Sequence, residues 1–290
     1  MTPLPRIVDR SSIAASLDAS RPWSGLVRRQ LAADAVRTGA ATSGVAVPRT
    51  AALAVVDGRT ADVAVAPVVA AVAHGWADAL DLLQSMAASD RTLTLDEGLL
   101  RSLHWVLHRR SPTSRPGQLR PGAALPLPEP PAGLGPVETA VWIAGSLRTA
   151  DPFWTENASV AHAVELLLLA RVDRVPVVAA GRGSAVGDPV AALGTAAAAL
   201  GERLREAEHR WFDVSRELGR RNLADRMAGP CWGAAGGGVL TNTAYRKAAF
   251  AVRGREISEQ QASRDLKALV DAGLLRASGR TRDRSYRWNR

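Results

Sequence analysis

Apolar residues recur at three- and four-residue intervals along most of this chain, which is the spacing of one buried face of a helix. The pattern turns helical from Leu31. Segments around 61–88 and 96–110 carry it clearly: Ala79, Leu82, Leu83 and Met86 fall on one side, with Asp78 and Asp81 on the other. Leu93 lies in a turn between them, and Thr94 with Glu97 three residues on has the spacing of a capping box, so Thr94 is the expected N-cap. Residues 111–136 hold eight of the seventeen prolines, which forbids a continuous helix and predicts an extended, turn-rich connection. A helical body resumes from about Pro136 through Leu169 with a break from Asp151 to Asn157, and again from Pro189 to Leu218. Residues 1–30 mix Pro, Ser and Arg without a period and are read as an N-terminal arm. The run Gly229 to Gly238, with five glycines, is the best candidate for a linker. No internal repeat is present.

Beyond that run lies a self-contained pattern. Thr243 to Val252 predicts a short helix, and Ser258 caps a second one with Gln261 completing the box. In the second helix Ala262, Leu266, Leu269 and Val270 form the buried stripe and Gly273 supplies a left-handed stop, leaving Gln260, Gln261, Ser263, Arg264 and Lys267 outward. A Ser278–Gly279 turn signal follows, among Arg276, Arg280, Arg282 and Arg284; Tyr286 and Trp288 then alternate with Ser285 and Arg287, as on a strand with one apolar face. Helix, helix and basic hairpin is the layout of a winged helix, whose second helix enters the DNA major groove. Gln260, Gln261 and Arg264 have the donors and acceptors that read base edges; Lys267, Arg280, Arg282 and Arg284 suit phosphates.

Charge sharpens this picture. The chain carries a formal +9, and residues 240–290 hold 12 Arg or Lys against 5 Asp or Glu, so +7 of the total sits there. A local basic excess is the footprint of a nucleic-acid module; a solubilising tail is the plainer alternative. Composition otherwise excludes little: 47% apolar and 22% charged residues describe a chain that folds. Cys231 is alone, so no internal disulfide and no cysteine zinc cluster can form. Charges in the first 25 residues break any signal peptide, and apolar runs such as Leu166 to Ala170 are far short of a membrane span, so a cytoplasmic protein without membrane contact is expected.

The segment SEQQASRDLKALVDAG with LLRASGRTRDRSY resembles the winged helix at the end of many Fic proteins, and the middle of the chain extends the likeness. The family motif reads His-Pro-Phe-x-Asp-Gly-Asn-Gly-Arg followed by x-x-Arg; residues 151–162 read DPFWTENASVAH, matching at Pro152, Phe153 and Asn157. LLRSLHWVLHRR and RPGQLRPGAALPLPEPP resemble the helix and flap that precede the motif, so the likeness spans roughly residues 35–180 plus the tail. Fic proteins transfer AMP from ATP to protein hydroxyls, and the departures fall on that chemistry. Asp151 replaces the general base, and a carboxylate of ordinary pKa, about 3.9, is a weak base near neutrality. Thr155 replaces the acidic magnesium ligand, Glu156 and Ala158 replace glycines that admit phosphate, and Ser159 and His162 replace the phosphate-holding arginines. The family's regulatory helix carries an inhibitory glutamate, and the nearest segment here, TGAATSG from Thr38, has no acid.

The expected architecture is mainly α: an arm (1–30), a Fic-like helical domain (31–228), a Gly-rich linker (229–238) and a winged-helix DNA-binding domain (239–290). The expected function is that of a DNA-binding regulator or adaptor with no catalytic residues, no metal and no cofactor. Double-stranded DNA is the expected partner, a homodimer is left open, and the motif argues against nucleotide binding. Two other readings stand: an adenylyltransferase with an atypical base, Asp151 or His162, and a scaffold using the winged helix for docking. His74, His104, His108 and His209 lack the spacing of a metal site, with His104 expected in or beside the core and His162 on a helix surface. Glu202 to Arg210 reads as a solvated helix face, and Gly181 to Gly187 lacks the ending of a phosphate loop.

Overall fold

The helix expected from Leu31 already runs from Ser24: α1 spans Ser24–Thr42. The last part of the expected arm is therefore core: Trp23, Leu26 and Val27 are buried, because their spacing already follows the helical period. The computed structural model describes residues 13, 14, 17, 21–58, 65–89, 92–111, 115–123, 125, 127–181, 188–280 and 284–289, and these are mainly helical. After α1 come α2 (Arg49–Val56), α3 (Pro67–Ala87), α4 (Glu97–His108), α5 (Pro136–Ala150), α6 (Asn157–Asp173) and a 3-10 turn at Val177–Ala179. Then follow α7 (Pro189–Arg220), α8 (Ala228–Ala235), α9 (Asn242–Arg253), α10 (Glu259–Asp271), β1 (Leu275–Ser278) and β2 (Ser285–Trp288). No helix of the described residues is long and apolar enough to cross a membrane.

The cap of α4 differs from expectation. Asp96, not Thr94, is the N-cap, its carboxylate accepting from the Leu99 N–H at 2.8 Å. Asp96 stands three residues before the amide it serves and places negative charge at the positive helix end. The proline-rich connection carries no helix among its described residues, as its composition requires.

Two compact units divide the chain, one comprising 1–14 and 29–200, the other 15–28 and 201–290. The break at 200/201 falls inside α7, far upstream of the expected boundary at residue 228. In the first unit α5 and α6 make the most extensive helix pairing, and α3 packs on α4 and α6. Their shared core includes Trp76, Leu83, Leu100, Leu103, Leu107, Leu147, Phe153 and Leu167. Each of these, fully buried, is worth about 1.5–3 kcal/mol over exposure, and together they fix the loop between α5 and α6.

In the second unit the expected linker is instead structural. Residues 229–238 contribute most of α8, with Gly229, Pro230, Cys231, Trp232 and Ala234 buried. Gly229 is there for close approach rather than flexibility: a Cβ would stand 2.6 Å from Val252 Cγ2 and 3.0 Å from the Ala248 carbonyl oxygen. Trp232 is anchored by its indole N–H, which donates to the Ala207 carbonyl at 2.8 Å, while Arg210 lies over its ring. Helix α9 is capped by Thr241 and α10 by Ser258, each hydroxyl accepting an N–H at 3.1 Å. Gly273 stops the chain after α10 with φ +72°, the left-handed conformation expected of it. Strands β1 and β2 pair antiparallel with Arg276 opposite Arg287 and Ala277 opposite Tyr286, and Leu240 bonds the free edge of Tyr286 in both directions, at 2.9 and 2.8 Å. Ala262, Leu266, Leu269, Leu274, Leu275 and Tyr286 close the core; Val270 is half-buried.

Candidate functional site

The first candidate site is the loop joining α5 to α6, residues 151–156. Asp151 ends α5 at φ +47° and Glu156 begins α6 at φ +65°, so two non-glycine residues occupy the left-handed region within one short loop. Such residues cost on the order of 1 kcal/mol each and persist only where the surroundings hold them. Asn157 supplies that hold: its Oδ1 accepts from the Phe153 N–H at 2.8 Å, and its amide donates to the Phe153 carbonyl at 2.9 Å and to the Asp151 carboxylate. Arg120 donates to the other Asp151 oxygen, and its backbone N–H to the Pro152 carbonyl at 2.8 Å. Pro152 and Phe153 are buried, whereas Thr155 is exposed and Ala158 half-buried.

Two further segments meet this loop. Segment 115–123 lies along it through a bridge between Leu119 and Phe153. His104 of α4 ties both together: the Gly117 N–H donates to Nδ1 at 2.8 Å, so Nε2 carries the proton and faces the Thr155 carbonyl at 3.2 Å. Its ring stacks on Phe153 with centroids 4.1 Å apart. Burial lowers the His104 pKa against the Thr155 carbonyl, and burial with the nearby His104 pushes His108 down to about 3. Both imidazoles are thus core groups, as expected for His104. At the start of α6 the Ser159 hydroxyl, wholly buried, sits 2.7 Å from Ser43 Oγ and 3.0 Å from Thr42 Oγ1, and reaches Glu156 at 3.3 Å. The TGAATSG segment therefore meets the start of α6 through the hydroxyls of Thr42 and Ser43. His162 is half-buried rather than on the surface, because Trp76 packs against it with ring centroids 5.6 Å apart.

Hydrogen bonds and packing fix the shape of this loop. Asp151 is engaged by Arg120 and Asn157, and Ser159 is sealed. Among the described residues no group of three or more His, Cys, Asp or Glu is placed to hold a metal ion.

The second candidate site is the outer surface of α10 and the hairpin. Gln260, Ser263, Arg264 and Lys267 are exposed, and Gln260, Arg264 and Lys267 follow one another at four and three residues, so they share a face. Arg280 is exposed, Arg284 is exposed with its guanidinium 5.8 Å from the Tyr286 ring, and Arg282 lies outside the described residues, as does most of Gly181 to Gly187. Gln261 does not join the outward set. Its amide turns back and donates to Asp265 Oδ1 at 2.7 Å, leaving the capping box half-formed.

Asp265 is the residue that sequence reasoning missed. Only 1% exposed, it accepts from Arg226 through both oxygens at 2.6 and 2.9 Å, from the Tyr245 hydroxyl at 3.0 Å and from Gln261. The Arg226 pKa is raised by this hydrogen bond, while burial and then the carboxylate raise Tyr245. Burial and the same carboxylate push the Cys231 thiol up to about 12, which leaves it inert as a nucleophile. The available signal was an aspartate at position 265 between Ala262 and Leu266, on the buried side of the helical wheel.

No protein-family model and no curated protein matches the chain.

Proposed function

We propose that this protein is a DNA-binding regulator or adaptor, in which the second unit carries a winged helix and the first is a Fic-like helical domain that has lost its chemistry. One observation carries the reading. Arg264, Lys267, Arg276, Arg280 and Arg287 are exposed, and among the described residues none pairs with a carboxylate. Cations left open on a helix and an adjoining hairpin, above a rigid buried network, suit the phosphates of a duplex. In this reading α10 enters the major groove; Gln260 and Arg264 meet base edges, and Lys267, Arg280 and Arg284 the backbone. Gln261 serves instead to orient the helix through Asp265.

The loss of transferase chemistry is supported by the loop itself. A base must be free to take a proton, and the Asp151 carboxylate is already bound on both oxygens. A nucleotide would also meet Glu156 at the entrance to α6, where a carboxylate repels phosphate.

Fluorescence anisotropy of the full chain with labelled duplex DNA tests the proposal. Salt-dependent binding is expected; Lys267→Ala should flatten the salt slope by about 0.9, one phosphate no longer neutralised, and Arg264→Ala should weaken binding and relax sequence preference. No complex at low salt, or binding indifferent to both substitutions, overturns it. Incubation with labelled ATP and magnesium should leave all proteins unmodified; labelling abolished by Asp151→Ala would restore the enzyme reading.

A further inference from the structure

Arg276 and Arg287 stand directly opposite each other across β1 and β2, and the geometry of the sheet brings them to one outward face. Tyr286 gives both its backbone N–H and its carbonyl to Leu240, so the backbone groups of its neighbours Ser285 and Arg287 must point the other way, toward β1. The Asn289 N–H, two residues on, donates to Leu274 at 2.9 Å in the same register. Arg276 and Arg287 are therefore a hydrogen-bonded pair, with Cα atoms about 5.5 Å apart. Leu275, Ala277, Tyr286 and Trp288 occupy the inner face, which leaves the two arginines with Ser278 and Ser285 on the outer one.

Like charges directly opposite on a sheet destabilise it, and neither guanidinium has an acidic partner among the described residues. Two close cations with hydroxyls beside them on one face bind an anion more strongly than either alone. We infer that Arg276 and Arg287 form a clamp for a backbone phosphate of the bound duplex, additional to what α10 and the hairpin tip hold. This rests on the proposed DNA binding. It adds two residues that the pattern of the sequence left unassigned, and it accounts for a cross-strand pair that costs the free protein stability.

Full-length wild type, Arg276→Thr, Arg287→Thr and the double variant are compared by anisotropy on one labelled duplex across a salt series, with melting in low and high salt alongside. Thr suits a strand and the positions are exposed, so the fold is kept. The double variant is expected to bind several-fold more weakly in low salt, with a salt slope shallower by about 0.9, one phosphate. Without DNA it should melt higher than wild type in low salt, with the gain shrinking in high salt as screening removes the repulsion. A slope and affinity equal to those of a DNA-binding wild type overturn the clamp and leave the proposed function standing. A wild type that binds no DNA removes that function, and the clamp with it.

Discussion

Arginine is used in opposite ways in two regions of this molecule. In the helical unit containing the 151–156 loop, guanidinium groups meet carboxylates: Arg29 with Asp57, Arg101 with Glu97, Arg109 and Arg110 with Asp78, Arg120 with Asp151. On α10 and the hairpin they stand open. Arg226, set against Asp265 beneath α10, is the exception there, and it lies inward. The same residue type thus serves local structure in one region and leaves a field of positive charge in the other. The difference is whether a carboxylate lies within reach, since a neutralised guanidinium has little left to offer a phosphate.

The largest expected effect comes from breaking the exception. Asp265→Ala leaves the buried Tyr245 hydroxyl and the partly exposed Arg226 guanidinium without their shared acceptor, which costs about 1–3 kcal/mol. Urea unfolding should show this loss, and retained wild-type stability would mean that the network does not hold α10.

A smaller and graded effect is expected from acid in the other unit. His104 and His108 are buried neutral, with native pKa values below the usual 6.5, so under acid the unfolded chain binds protons that the native state resists. Their stabilisation is complete above pH ~6.5 and falls as pH drops through that value toward about 3, where native His108 titrates. His108→Phe should flatten the pH dependence of the melting temperature across this window; an unchanged slope would refute the buried neutral state.

The smallest effect sharpens the contrast from its paired side. Glu97→Gln breaks an exposed pair with Arg101, worth about 0.3–0.5 kcal/mol, and frees one cation outside the proposed DNA surface. Duplex affinity should stay unchanged. A gain in affinity would show that net charge rather than the α10 and hairpin surface governs binding.

Legibility in the sequence followed the range of the forces involved. The helices at 67–87, 97–108, 136–150, 157–173, 189–220, 242–253 and 259–271, the proline-rich connection, the break after Ala150, the Ser258 cap, the stop at Gly273 and the alternation at Tyr286 and Trp288 depend on neighbours a few residues apart. Where packing chose, the pattern misled. Gly229 reads as a flexible residue, yet it is small because α9 passes close; Gln261 reads as an outward polar group until Asp265, one turn on, is seen to be buried.

The chain by itself determined where most of the helical segments lie and where charge accumulates, because these are properties of residue identity and spacing. Tertiary structure alone decided that Asp151 is bound by Arg120, that the Thr42–Ser43 segment meets Ser159, that Asp265 gathers three partners, and that Arg276 faces Arg287. Each of those meetings joins side chains through the way distinct elements pack or pair, and no local pattern encodes it.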